Sequence, residues 1–270
     1  MPELPEVETI KNDLSQCITG RRITGVTIID SRLVQQPGVE LFCSELTGQT
    51  ISSITRRGKY LIVNLSGGKV LVMHLMMSGS LLFNPESHYD RSARAIFYFD
   101  NGSRLLFIDR RRLGRAWLSD NAESITGKLG MDPLSAEFTA GEFTRMLKGH
   151  NVPIKAFLLD QGYIAGVGNM YADEALYAAR IHPLKIAGKL SFNAAGRLRD
   201  AIVHVLRTAI DSKGASVDTY QRPGGELGSA HFNFHVAHKK GDACTRCGTL
   251  IQRIAVRNRG TYFCSYCQKR

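Results

Sequence analysis

Four cysteines near the C-terminal end constrain this chain more than any other feature. Cys244-x2-Cys247 and Cys264-x2-Cys267, with sixteen residues between the pairs, have the spacing of two β-knuckles that each offer two thiolates to one tetrahedral Zn²⁺. A redox CxxC pair would need a thioredoxin-like βαβ setting, which the flanking sequence lacks. Four thiolates fill the coordination sphere, so one such zinc builds the fold and leaves water unactivated. Any catalytic chemistry must therefore lie elsewhere. The other two of the six cysteines, Cys17 and Cys43, read as small buried hydrophobes. Arg253, Arg257 and Arg259, with Lys269 nearby, interleave with Tyr262 and Phe263 and give the knuckle region a basic face suited to phosphate.

The whole chain is basic. Its 35 Lys and Arg against 24 Asp and Glu leave a formal charge of +11 over 270 residues, which points to a polyanionic partner without saying which one. No apolar run approaches the ~18 residues of a membrane span. The opening Met1-Pro2-Glu3-Leu4-Pro5-Glu6 is acidic and broken by proline, unlike a secretory leader. A cytosolic protein without membrane association is expected, and there cysteines bind metal rather than build a disulfide framework.

Val7, Ile10, Leu14 and Ile18 recur at helical spacing, with Pro5 in the first turn and Gly20 as the stop, so a helix is expected over ~4–19. Strands are expected at Ile23–Ile29, Tyr60–Leu65, Val70–Leu75, Ala95–Phe99 and Arg104–Ile108, the last two joined as a hairpin at Asn101-Gly102. Beyond Leu129-Gly130-Met131-Asp132-Pro133 the pattern turns helical at Phe138–Leu147, Ile154–Leu159, Tyr171–Arg180 and Phe192–Ile210. Residues 213–230 carry Gly, Ser and Pro without periodicity and read as a long loop whose length suggests mobility or function. The expected class is α+β: an N-terminal β-sandwich with a leading helix over 1–130, a helical domain over 137–235, and a zinc finger over 236–270.

Three motifs occur in order along nearly the whole chain: Pro2-Glu3-Leu4-Pro5-Glu6-Val7-Glu8-Thr9, the turn Ala165-Gly166-Val167-Gly168-Asn169, and the terminal four-cysteine module. Together they closely resemble the bacterial formamidopyrimidine-DNA glycosylases. The resemblance implies a base excision repair enzyme of the bacterial cytosol. It would remove oxidised purines, formamidopyrimidines and 8-oxoguanine, from double-stranded DNA and cut at abasic sites, acting as a monomer with one structural zinc. It implies a helix–two-turn–helix in the second domain, with Asn169 opening a helix whose amides suit phosphate.

By the same resemblance Pro2 is the nucleophile, through a terminal amine whose pKa of about 8 leaves a useful unprotonated fraction. Glu3 is its proton donor and acceptor. Lys59, His74, Asn169 and Arg259 grip phosphates, with Lys59 and Arg259 beside the reaction centre, and Lys155 approaches the lesion side. Met77 fills the gap that an everted nucleotide leaves, Arg111 pairs with the orphaned base, and Leu113 is a second wedge. The sequence departs from the family pattern at three places. Leu113 stands where phenylalanine is usual, with Arg110 in place of proline. Ser92-Ala93-Arg94 replaces a His-x-His phosphate contact, keeping the charge in Arg94. The Gln221–Ser229 stretch, expected to close over 8-oxoguanine, is unfamiliar. Two alternatives stay open: an endonuclease VIII-like enzyme for oxidised pyrimidines, and a zinc-dependent DNA-binding protein without catalysis.

Overall fold

The computed structural model describes residues 1–85 and 91–270. The chain forms two compact units, one of residues 1–128 with 210–231 and one of residues 129–209 with 232–270.

The first unit opens with α1 (Leu4–Ile18). Pro5 occupies its first turn, where a missing N–H costs nothing, and Leu4, Val7, Ile10, Leu14 and Ile18 bury one face. Then follow β1 (Ile23–Ile28), β2 (Val34–Gln36), α2 (Val39–Leu46), β3 (Ile51–Arg57), β4 (Tyr60–Leu65), β5 (Val70–His74), β6 (Gly79–Phe83), β7 (Ala93–Phe99), β8 (Arg104–Asp109), β9 (Arg115–Ser119) and the short α3 (Glu123–Thr126). They build a four-stranded antiparallel sheet, β1-β7-β8-β6, and a five-stranded sheet, β2-β9-β5-β4-β3, in which β2 and β9 run parallel.

Leu61, Val63, Leu71 and Met73 from one sheet and Phe97, Phe99, Leu105 and Phe107 from the other share a single core with the apolar face of α1. Each such side chain contributes roughly 1.5–3 kcal/mol by leaving water. β4 and β5 read as continuous apolar runs because their alternate residues Ile62, Val70 and Val72 are covered too, by Trp117 and by Ile125 of α3. The expected Asn101-Gly102 hairpin forms, with Gly102 at φ +79° and Asn101 Oδ1 accepting from Ser103 N. β3 escapes sequence reading for a physical reason. A bulge between Ile51 and Ser53 resets the alternation, leaving Ile51 and Ile54 inward at a spacing of three. Cys17 and Cys43, expected to be buried, are half-exposed at the margin of the core.

Residues 213–230 contain no helix or strand apart from the start of a short 3-10 turn at Ala230, yet they are firmly anchored. Tyr220 enters the core at 5% exposure, Arg222 forms a two-pronged ion pair with Asp13, and Phe83 N donates to Pro223 O at 2.7 Å. The excursion closes on itself where Ser229 N meets Ser212 O and Ala230 N meets Gly214 O, both at 2.9 Å. Its neck requires glycine: Gly214 lies at φ +79°, and a Cβ on Gly228 would stand 2.2 Å from Lys213 O.

The second unit carries α4 (Ala140–Leu147), α5 (Ile154–Leu158), α6 (Asn169–Ala178) and most of α7 (Phe192–Asp211), then the hairpin β10 (Gln252–Val256) and β11 (Arg259–Phe263). Thr139 caps α4 by accepting from Glu142 N. The hairpin turns through Arg257 and Asn258, both at positive φ, which matches the twist of the strands it joins. Among the described residues no helix is long and apolar enough to cross a membrane.

Register pairs Tyr60 with His74 across β4 and β5, and their rings meet edge to face at 4.6 Å. His74 Nδ1 accepts from Met76 N at 3.0 Å, which assigns the ring proton to Nε2. Burial, aided by the nearby charges of Lys59 and Arg115, holds the His74 pKa down to about 4. Below the unfolded value of 6.5 the unfolded chain binds a proton that the folded one refuses. His74 therefore withdraws stability as pH falls from about 6.5 to about 4. The variant H74Q, which keeps an acceptor for Met76 N, is expected to lose less melting temperature than the parent when the pH is lowered from neutrality through that window. Equal acid slopes in thermal melts would contradict this.

Candidate active site

The N-terminal group is organised by a buried carboxylate. Glu6, 1% exposed, accepts from Glu3 N through Oε2 and from Ala215 N through Oε1, each at 2.8 Å. It thus fixes the backbone of Glu3, the residue that precedes α1, and moors the 213–230 excursion to the same point. Pro2 and Glu3 are both buried. Arg56, at the end of β3, donates to Glu8 Oε2 at 2.8 Å and to Gly58 O at 3.1 Å, so it ties the Gly58-Lys59 turn to α1. Lys59 is 7% exposed and lies close enough to His74 to disfavour its protonation.

Met77, Arg111 and Leu113 are held by one residue that sequence reasoning misses. Asp109 is inaccessible to solvent. Its Oδ1 accepts from Ser78 Oγ and from Arg111 N, and its Oδ2 accepts from Leu113 N and Gly114 N at 2.7 Å. The 109–114 turn is thereby wrapped around a carboxylate that also grips the neighbour of Met77. Arg111 projects into solvent, and Leu113 is 39% exposed, an unusual position for a leucine without a partner. Close contacts fix two glycines here: a Cβ on Gly114 would stand 2.6 Å from the Phe107 ring, and one on Gly79 would stand 2.5 Å from Leu75 O. A polar recess of about 180 Å³, lined by Ser78, Ser80, Arg110, Asp218 and Gln221, lies alongside.

Arg94 is a correction. Expected to face phosphate, it is 6% exposed, and its guanidinium donates to Asp109 O at 2.8 Å and to Ala93 O at 3.2 Å. It acts as a strut for the strand that ends in Asp109.

In the second unit Gln161 folds the Gly-rich turn, accepting from Gly166 N at 2.8 Å and donating to Val167 O at 2.9 Å, with Gly166 at φ +95°. The chain then enters α6 at Asn169, whose Nδ2 donates to Gly260 O at 3.0 Å. Lys155 is a second correction. Expected to approach substrate, it is fully buried, donating to Asp173 Oδ1 at 2.6 Å and to Gly260 O at 3.3 Å. Asp173 Oδ2 accepts from Tyr262 N, and burial pushes its carboxyl up to about 7. Lys155, Asn169 and Asp173 therefore fasten the hairpin on both sides of Thr261, next to Arg259, which is exposed at its edge.

The four cysteine sulfurs lie within 4.8 Å of one another, with Cys244 3.9 Å from Cys267 and Cys247 3.5 Å from Cys264. Sulfurs about 2.3 Å from one zinc stand roughly 3.8 Å apart, so the set fits a single structural Zn²⁺. Glu174 secures the approach to this centre by accepting from His235 N, Val236 N and Ala237 N. Tyr177 OH lies 3.3 Å from Cys244 Sγ.

Three family models match in order: formamidopyrimidine-DNA glycosylase N-terminal domain over residues 1–116, its H2TH domain over 129–221, and the zinc finger found in FPG and IleRS over 241–270. The formamidopyrimidine-DNA glycosylase of Chloroflexus aurantiacus is 41% identical, over 99% of this chain and 98% of its own length. That of Pediococcus pentosaceus is 39% identical, over 99% of each. Among solved structures, a Lactococcus lactis FPG mutant in complex with a Fapy-dG containing DNA superimposes at a TM-score of 0.93, with 35% identity and full coverage of both chains. MutM in complex with carbocyclic 8-oxo-G containing DNA gives 0.92 at 34% identity, again over the whole of both chains. With every module matched in order and relatives aligned from end to end, this chain belongs to the formamidopyrimidine-DNA glycosylase family.

Proposed function

We propose that this protein excises formamidopyrimidines and 8-oxoguanine from duplex DNA and cuts the strand by β,δ-elimination through a covalent iminium on Pro2. As a family member it is a DNA repair enzyme that joins glycosylase and abasic-site lyase activities and carries one structural zinc. The observation that carries the finer reading is the placement of Pro2 directly before Glu3, whose backbone the buried carboxylate of Glu6 holds in place.

While Met1 is attached, the Pro2 nitrogen is an amide and cannot attack. Removal of Met1 frees a secondary amine of modest basicity. Its lone pair attacks C1′ of the damaged nucleotide, and the base departs with the electrons of the glycosidic bond. The new ammonium gives its proton to Glu3, the departed base takes one from water, and Glu3 then protonates the ring oxygen as the sugar opens, leaving an iminium with no N–H to lose. This fixed positive charge acidifies C2′. Loss of that proton expels the 3′ phosphate, and a second elimination expels the 5′ phosphate.

The other residues take supporting roles. Lys59 and His74 contact phosphate, His74 as a neutral donor through Nε2. Asn169 and Arg259 contact phosphate from the second unit, where Lys155 acts through Gly260 rather than by touching DNA. Met77 and Leu113 occupy the stack vacated by the everted nucleotide, and Arg111 meets the orphaned partner base. The recess bounded by Ser78, Asp218 and Gln221 offers donors and acceptors for an oxidised purine, and its 180 Å³ is small against the roughly 300–1,000 Å³ typical of drug-sized ligands.

Borohydride reduction during turnover is expected to trap a covalent protein–DNA adduct only with the processed chain. Pro2→Gly should slow trapping without abolishing it, and a chain shown by mass spectrometry to retain Met1 should give none. Normal trapping by the Met1 form would refute the assignment of Pro2. Formamidopyrimidine should be released faster than thymine glycol; the reverse order would move the protein to oxidised pyrimidines. Arg259→Ala is expected to weaken binding of all duplex sequences alike and to make the salt slope shallower by about 1. An unchanged slope would remove Arg259 from the phosphate contacts.

A further inference from the structure

One concavity of about 390 Å³ beside the cysteine cluster is lined by Arg180, Arg246 and Lys269 together with Cys247, Cys267 and Tyr266. All three cations are exposed, and among the described residues none forms an ion pair with a carboxylate. They sit at the knuckle end of the β10–β11 hairpin, whereas Arg257 and Asn258 form its tip. Strands of five residues separate the two ends by roughly 14 Å at ~3.4 Å per residue.

Two negative features meet at this end. One Zn²⁺ and four thiolates carry a net charge of two minus, and a site buried at Cys244 and Cys264 is poorly screened. The C-terminal end of α6, bearing roughly half a negative charge, points to the same place. Arg246 Nη1 donates to Tyr177 O at 2.7 Å in the last turn of α6, and its guanidinium lies 4.0 Å above the Tyr177 ring. The hydroxyl of that tyrosine contacts Cys244 Sγ. Arg180 follows the helix directly, at φ +57°. Glu174, one turn earlier on α6, is consumed by three backbone amides.

We propose that Arg180, Arg246 and Lys269 form a cationic collar that balances the zinc–thiolate centre and the α6 terminus, and so retains the metal. These are positioning residues for the zinc finger and make no contact with the reacting atoms. The reading is independent of the chemistry assigned to Pro2, because zinc retention is measured without substrate.

The test is the rate at which the holoprotein yields zinc to a chromogenic chelator. The double variant R180Q/K269M removes two exposed charges without disturbing the Tyr177 carbonyl contact. It is expected to release zinc about threefold faster, the modest size that solvent-exposed charges give. R246K should stay near the parent rate, and K148M, an exposed lysine on the loop after α4, should match it. Raising salt should speed release from the parent and narrow its gap to the double variant, a signature of Coulombic origin that simple loss of packing does not give. Parent-like release by R180Q/K269M at low and high salt would overturn the proposal. So would unchanged zinc release accompanied by weaker binding of a single-stranded oligothymidylate, which would assign the concavity to an external polyanion.

Discussion

Asp109 is a carboxylate without access to water, and the surface proposed to meet DNA depends on it. Its oxygens gather three backbone amides and one hydroxyl, and its own carbonyl receives Arg94. Charge-assisted bonds of this kind are worth about 1.5–3 kcal/mol each, and an acceptor left unpaired in the interior costs a comparable amount. The turn from Asp109 to Gly114 consequently has one low-energy shape, in which an arginine and a leucine project outward. Glu6 and Glu174 follow the same plan at the start of α1 and at the entry to the cysteine knuckles. Anions buried among backbone donors set the geometry of loops that periodic hydrophobic packing cannot specify.

The positive charge of the chain divides by the same logic. Arg56, Arg94, Lys155 and Arg222 are spent on internal acceptors, while Arg111, Arg257 and Arg259 stand in solvent. Net charge is therefore a poor count of phosphate contacts. Pairing sets the preference: a buried cation needs a fixed partner, and an exposed cation without one is available to a ligand.

Much of the fold is legible because it rests on local rules. The cysteine spacing, the face of α1, the β7–β8 hairpin and the apolar runs of β4 and β5 each follow from geometry within a few residues of chain. Arg94 misleads because charge in a sequence suggests exposure and Lys155 because the resemblance sets it toward the lesion; the tertiary partners Asp109 and Asp173 bury both. Asp109 and Gln161 escape notice although each stands directly before a turn rich in glycine or arginine. For Asp109, a short polar side chain in that place is a usual source of local hydrogen bonds, and that signal is present in the sequence. β3 is hidden by its bulge, which no alternation rule anticipates.

The constricted neck at Gly214 and Gly228 has a consequence for how such a protein can diversify. Because the two ends of the 212–229 excursion are bonded to each other, the chain leaves and rejoins the fold at one place whatever the length between the internal anchors. Apart from the anchors Ala215, Tyr220, Arg222 and Pro223, residues can be inserted, lost or exchanged there without shifting the register of α7 or of the chain beyond. Closing a somewhat longer loop costs only about 0.6 kcal/mol per doubling of length. Between its anchors the segment can change length while the neck and those anchors hold the scaffold fixed.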